Sequence, residues 1–201
     1  MTSVTISPKD VSELRARTGA GMMDCKRALE EAGGHMEKAS EILRKKGIAK
    51  AEKRTGKNAS QGVIVSYLHH NGQVGALVEL NCETDFVART EEFQQLAREI
   101  ALHVASADPI GVNPEDVPAE VLERERRIAE EQVAAEGKPE NIRAKIVDGK
   151  LKKFVAERTL TEQLYVKDDK KTVGQLVKEA SGKLGETISV RRFARFKIGE
   201  A

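Results

Sequence analysis

The sequence has no tryptophan, two tyrosines and five phenylalanines in 201 residues, with only two cysteines and four histidines. Each shortage excludes something. Cys25 and Cys82 cannot form a disulfide framework. Nor do they form, with His35, His69, His70 or His103, the short paired spacings of a zinc site. Both thiols are read as small buried apolar groups in a reducing, cytoplasmic setting. No run reaches the ~20 apolar residues that span a bilayer. No charged n-region followed by an apolar stretch opens the chain, so no secretory signal is expected. An excess of one charge is also lacking, since 34 Lys and Arg face 32 Asp and Glu. That balance, with many aliphatics, argues against disorder and disfavours a strongly basic nucleic-acid binder.

Signatures of chemistry are missing too. Gly19-Ala20-Gly21-Met22-Met23-Asp24 imitates a dinucleotide fingerprint but lacks its third glycine and follows a helix rather than a strand. Gly56-Lys57-Asn58 lacks the first glycine and the hydroxyl residue of a phosphate loop. No serine or cysteine stands in a nucleophile elbow. His69-His70 read as exposed turn residues. No catalytic set, cofactor site or metal site is expected.

What is present is a clear change of period along the chain. Ser7 suits an N-cap, Pro8 the first helical position and Asp10 the first turn. Val11 and Leu14 then share a face as far as the break at Gly19-Ala20-Gly21. A second helix over about 22–32 turns Cys25, Ala28, Leu29 and Ala32 inward and stops at Gly33-Gly34. A third, from about Met36 to Lys46, has Gly47 as its expected stop. The basic stretch 48–60 reads as a helix extension or linker.

Residues 61–78 carry no charged side chain. Two alternating runs flank Asn71-Gly72, a strong hairpin signal. Ile64 and Leu68, opposite Val63, Val65 and Tyr67, predict partial burial of both faces. From Thr90 the stripe Phe93, Leu96, Ala97, Ile100 and Val104 is helical. Further helices are expected at about 119–136, from Pro139 with an interruption near Gly149, and around Val173–Leu184. The closing ISVRRFARF alternates like a strand that pairs with the hairpin. Phe93, Phe154, Phe193 and Phe196 all fall in elements where packing explains them.

Charge is zoned beneath the neutral total: net +5 over residues 1–60, −10 over 79–140 and +7 over 141–201. Such zones are more often solvated faces than sites, yet they steer association. One segment stands apart. Glu83-Thr84-Asp85-Phe86-Val87-Ala88-Arg89 joins the second strand to the next helix, where Phe86 either caps the core or projects as an anchor into a partner. Met22-Met23 poses the same choice.

LRARTGAGMMDCKRALEEAGG near the start and VELNCETDFVAR at 78–89 closely resemble the elongation factor Ts family of translation factors. So do GKPENIRAKIVDGKLKKF and KTVGQLVKEASGKLGETISVRRF, in the same order over essentially the whole chain. The resemblance implies an α+β fold. A three-helix bundle similar to a ubiquitin-associated domain, at 1–54, precedes a core at 55–201. In that core a hairpin at about 61–81 and a strand at about 187–197 form an antiparallel sheet packed by helices.

It further implies guanine nucleotide exchange on elongation factor Tu, by dislodging Mg2+ so that GDP leaves and GTP rebinds. Thr84, Asp85, Phe86 and Val87 match the family's wedge motif. Met22, Met23 and Lys26 match contact positions of its N-terminal unit. The length fits a short form with one half-core, for which a homodimer is expected, with the RRFARF strand as a candidate interface. No membrane and no direct nucleic-acid contact is expected. Two rivals are a nucleic-acid module, which the basic 1–60 zone favours but which lacks base-stacking aromatics there, and an enzyme, which the missing catalytic set disfavours.

Overall fold

The computed structural model describes residues 6–54, 56 and 58–200, without the side chain of Arg54. The expected first domain begins at positions 1–5, and the basic 48–60 stretch and the rejected phosphate loop include 55 or 57. Those positions lie outside the described residues.

The first helices follow their sequence signals. α1 (Pro8–Thr18) is capped by the Ser7 hydroxyl, which accepts from the Asp10 amide at 3.1 Å. α2 (Met22–Glu31) ends where Gly33 and Gly34 take positive φ and the Gly34 amide returns to the Leu29 carbonyl at 2.8 Å. α3 (Met36–Arg54) completes the group. Val11, Leu14, Cys25, Ala28, Leu29 and Ala39 meet in a core of their own.

β1 (Gln61–Leu68) and β2 (Val74–Cys82) form the hairpin, closed by the His69 amide on the Val74 carbonyl at 2.9 Å. The short α4 (Asp85–Ala88) leads into α5 (Glu91–Ala107). α6 (Ala119–Ala135) and α7 (Glu140–Arg158) pair around Ala129, Val133 and Val147. β3 (Leu164–Tyr165) and β4 (Asp168–Thr172) make a small hairpin ahead of α8 (Val173–Leu184), and β5 (Ser189–Lys197) closes the chain. The main sheet is antiparallel with order β1-β2-β5. By compactness the chain falls into two units. One gathers Met1–Val63, Leu80–Leu96 and Gln175–Ser189; the other gathers Ile64–Glu79, Ala97–Gly174 and Val190–Ala201.

Four expectations are corrected and one element is added. α3 runs through Gly47 instead of stopping there. A helical glycine costs only about 1 kcal/mol against alanine, and here the bare backbone has a use. A Cβ on Gly182 of α8 would lie 2.5 Å from the Gly47 carbonyl, so two helices approach at backbone distance. α7 likewise continues through the exposed Gly149.

Ile64 and Leu68 are not buried but 69% and 71% exposed. Helices cover one face of the sheet, with Arg195 of β5 donating to the Ala105 carbonyl of α5 at 3.1 Å. Period-two alternation therefore leaves the other face in solvent. Phe196 is 70% exposed rather than packed, on that same open face. The β3–β4 hairpin was not anticipated, because Asp-Asp-Lys-Lys-Thr carries no apolar alternation.

Candidate functional site

The segment after β2 owes its shape to local caps. Thr84, extended at φ −126° and ψ 154°, is the N-cap of α4, and its hydroxyl accepts from the Val87 amide at 3.4 Å. Thr90 repeats the device one turn on. Its hydroxyl donates to the Val87 carbonyl at 2.8 Å and accepts from the Phe93 amide at 3.3 Å, starting α5. Ala88 points inward and is buried. Asp85 accepts from Arg89 at 2.8 Å along the surface. Phe86 points outward and is 79% exposed, the most exposed large apolar side chain among the described residues. Leaving a phenylalanine in water forgoes about 1.5–3 kcal/mol of transfer free energy. Of the two readings of Phe86, the core cap is excluded.

The second group lies on α2. Cys25, Ala28 and Leu29 fill the core face, which leaves Met22 46% and Met23 62% exposed on the opposite side. Lys26 stands beside them and pairs loosely with Glu30 at 3.9 Å. Asp24 accepts from Lys50 at 3.2 Å and from Arg27 at 2.7 Å; chiefly through Lys50, its carboxyl is held below the usual range. The seven residues singled out from sequence thus form two groups, each built on its own element.

A cavity of about 450 Å³ borders the turn Gly19-Ala20-Gly21 and is lined by Lys46, Lys50 and Lys183 among others. These three are answered within the chain: Lys46 by Glu31 at 2.5 Å, Lys50 by Asp24 and Lys183 by Glu92 at 2.7 Å. Among the described residues no cluster of His, Cys, Asp and Glu could hold a metal ion, and no helix is long and apolar enough to cross a membrane.

Sequence reasoning missed Glu186, which lies 102 residues from Thr84 and accepts from its hydroxyl at 2.6 Å. The one local hint was the Glu-Thr pair at 186–187, matching Glu-Thr at 83–84.

The family model described as elongation factor TS matches residues 7–200. The chain belongs to the elongation factor Ts family. It is 56% identical over 195 residues to the elongation factor Ts of Thermosipho melanesiensis, covering 97% of this chain and 100% of that one. Elongation factor Ts of Desulfosudis oleivorans is 53% identical over 196 residues, covering 98% and 99%. That of Caldanaerobacter subterraneus is 54% identical over 195 residues, covering 97% and 98%. Elongation factor Ts is the nucleotide exchange factor for elongation factor Tu in translation.

Proposed function

We infer that this chain promotes release of GDP from elongation factor Tu by inserting Phe86 as a wedge near the partner's magnesium and phosphate site. One observation carries the reading: a lone phenylalanine, 79% exposed, stands on a short capped helix. In this reading Thr84 and Val87 build the mount, and Asp85 exchanges its partner Arg89 for a group on Tu. Met22, Met23 and Lys26 supply affinity from the N-terminal unit.

The free energy sets the terms. If the factor weakens GDP on Tu, GDP weakens the factor equally. Moving the site from 99:1 to 1:99 occupancy needs about 5.5 kcal/mol of differential binding, more than one buried phenylalanine at about 1.5–3 kcal/mol supplies. The wedge therefore draws on the whole contact and directs it at the ion. Displacing magnesium removes the largest local positive charge facing the phosphates. GDP then leaves, and GTP in excess rebinds and expels the factor. No bond is made or broken on the chain, so it acts without being an enzyme, in the cytoplasm.

The exposed sheet face supports a homodimer. Ile64, Leu68, Leu77, Phe196 and Ile198 are all at least 45% exposed. Leu68 lies over Gly75 on β2, and Arg192 of β5 pairs with Glu79 at 2.7 Å beside them. A second copy covering this face would hide it, and the RRFARF strand forms its margin. Residues 1–54 are proposed as a separable helical domain on the strength of their own core, with 55–201 as the exchange and dimerisation domain. No nucleic-acid contact is proposed.

The test is release of labelled GDP from elongation factor Tu on mixing with the pure chain, at several magnesium concentrations. Acceleration that fades as magnesium rises is expected. No acceleration, or tight salt-dependent binding of RNA instead, would overturn the reading.

A further inference from the structure

Phe86 has almost no packing of its own, so only its backbone can aim it. That backbone is a four-residue helix, too short to persist alone because helix nucleation is unfavourable. Something outside it must hold it.

Glu186 meets that need. One carboxylate oxygen accepts from the amides of Glu83 at 3.1 Å and Thr84 at 3.0 Å; the other accepts from the Thr84 hydroxyl at 2.6 Å. The same hydroxyl accepts from the Val87 amide, so one chain of hydrogen bonds runs from Glu186 into the first turn of α4. The arrangement is reciprocal: Glu83 accepts from the Thr187 amide at 2.7 Å. Cys82 adds a further tie, its thiol donating to the Thr84 carbonyl at 3.1 Å. Burial, with Glu186 nearby, pushes that thiol up, so it stays a donor.

Glu186 is itself placed by rigid elements. Val173, Val177 and Ala180 bury one side of α8. Gly185 then ends the helix at φ +75°, a conformation that favours glycine, with its amide on the Ser181 carbonyl at 2.9 Å. The next residue is Glu186.

We propose that Glu186 is a positioning residue for exchange: it holds the Thr84 cap so that Phe86 is aimed before the partner arrives. The proposal rests on the reading of Phe86 as the wedge. Preorganised contacts avoid the ordering cost at the moment of binding. Loss of Glu186 therefore lowers the maximal rate of GDP release and leaves the surfaces that give affinity in place.

The experiment is stopped-flow release of fluorescent GDP from elongation factor Tu over a range of full-length factor, giving a maximal rate and a half-saturating concentration. Phe86→Ala, Glu186→Ala, Glu186→Gln and the double variant Phe86→Ala/Glu186→Ala are compared. Glu186→Ala is expected to lower the maximal rate about tenfold with a smaller change in half-saturation. Glu186→Gln keeps the shape and an acceptor oxygen and is expected to restore the rate to within about threefold. In the Phe86→Ala background, Glu186→Ala is expected to add no further loss.

A slow Phe86→Ala beside a Glu186→Ala of unchanged maximal rate would overturn the clamp and leave the wedge standing. An unchanged Phe86→Ala would overturn the wedge itself. A Glu186→Gln as slow as Glu186→Ala, or a further loss in the double variant, would also sink the positioning role. Should Glu186→Ala fail to fold, Thr84→Ser against Thr84→Val decides. A rate retained by serine and lost with valine supports the clamp; equal rates overturn it.

Discussion

Phe86 and Phe196 are about equally exposed, at 79% and 70%, yet their surroundings are opposite. Phe86 stands alone on a four-residue helix tied down by hydrogen bonds from elements far away in sequence. Phe196 belongs to an open apolar face with Ile64, Leu68 and Leu77. A lone aromatic on a stiff mount can enter a pocket and act as a point of force. A flat cluster lacks that reach but offers the contiguous apolar area that a second sheet would cover. Exposure alone does not distinguish the two roles; what holds the backbone does.

The largest expected effect falls on the open face. Leu68→Asp puts a charge in its middle and is expected to convert the proposed dimer to monomer in sedimentation velocity. Phe86→Ala is expected to leave the dimer intact. A dimer that survives Leu68→Asp would remove the distinction between the two phenylalanines.

The close approach of α3 and α8 bears on the comparison next, because Glu186, which accepts from the Thr84 hydroxyl, follows directly on the glycine that ends α8. Gly182→Ala would press a Cβ into the Gly47 backbone and is expected to cost about 1–3 kcal/mol in denaturant unfolding. Gly47→Ala meets the Gly182 Cα at an ordinary 3.6 Å. It is expected to be neutral or to stabilise by about 0.5–1 kcal/mol, as alanine does in a helix. The opposite asymmetry would mean that the contact does not hold α8.

The smallest effect is electrostatic. His103 is fully buried, its Nε2 3.0 Å from Gln163 Oε1 and its Nδ1 accepting from the Val166 amide at 3.3 Å. Burial lowers its pKa from the ordinary 6.5, against the bond to Gln163. The fold therefore favours neutral imidazole, and the unfolded chain binds more protons as pH falls. Its stabilisation is complete above pH 6.5 and is lost as pH falls through the depressed folded value. Unfolding curves between pH 7.5 and 5.5 (roughly one unit either side of the ordinary histidine value) should show a fall that His103→Gln flattens. An identical fall in the variant would remove His103 as the cause.

Much of the fold was legible because local rules and burial agreed. Ser7, Gly33-Gly34 and Asn71-Gly72 each do what their chemistry favours. Gly47 was misread because its reason lies on α8, 135 positions on, where Gly182 needs its backbone. Ile64 and Leu68 were misread because alternation says which residues share a face and not whether anything covers it. The exposed segment around Phe86 was visible as a motif and an unplaced phenylalanine. Glu186 was not, since a carboxylate on a distant turn carries no periodic signal; only the fold brings it to Thr84.

The most direct measurement places Phe86→Ala and Phe196→Ala side by side in one stopped-flow series, reading GDP release from elongation factor Tu at saturating factor. A maximal rate about tenfold or more lower for Phe86→Ala, with Phe196→Ala close to the unmodified chain, is the expected result. Equal losses, or an unchanged rate with Phe86→Ala, would contradict the claim that Phe86 drives exchange.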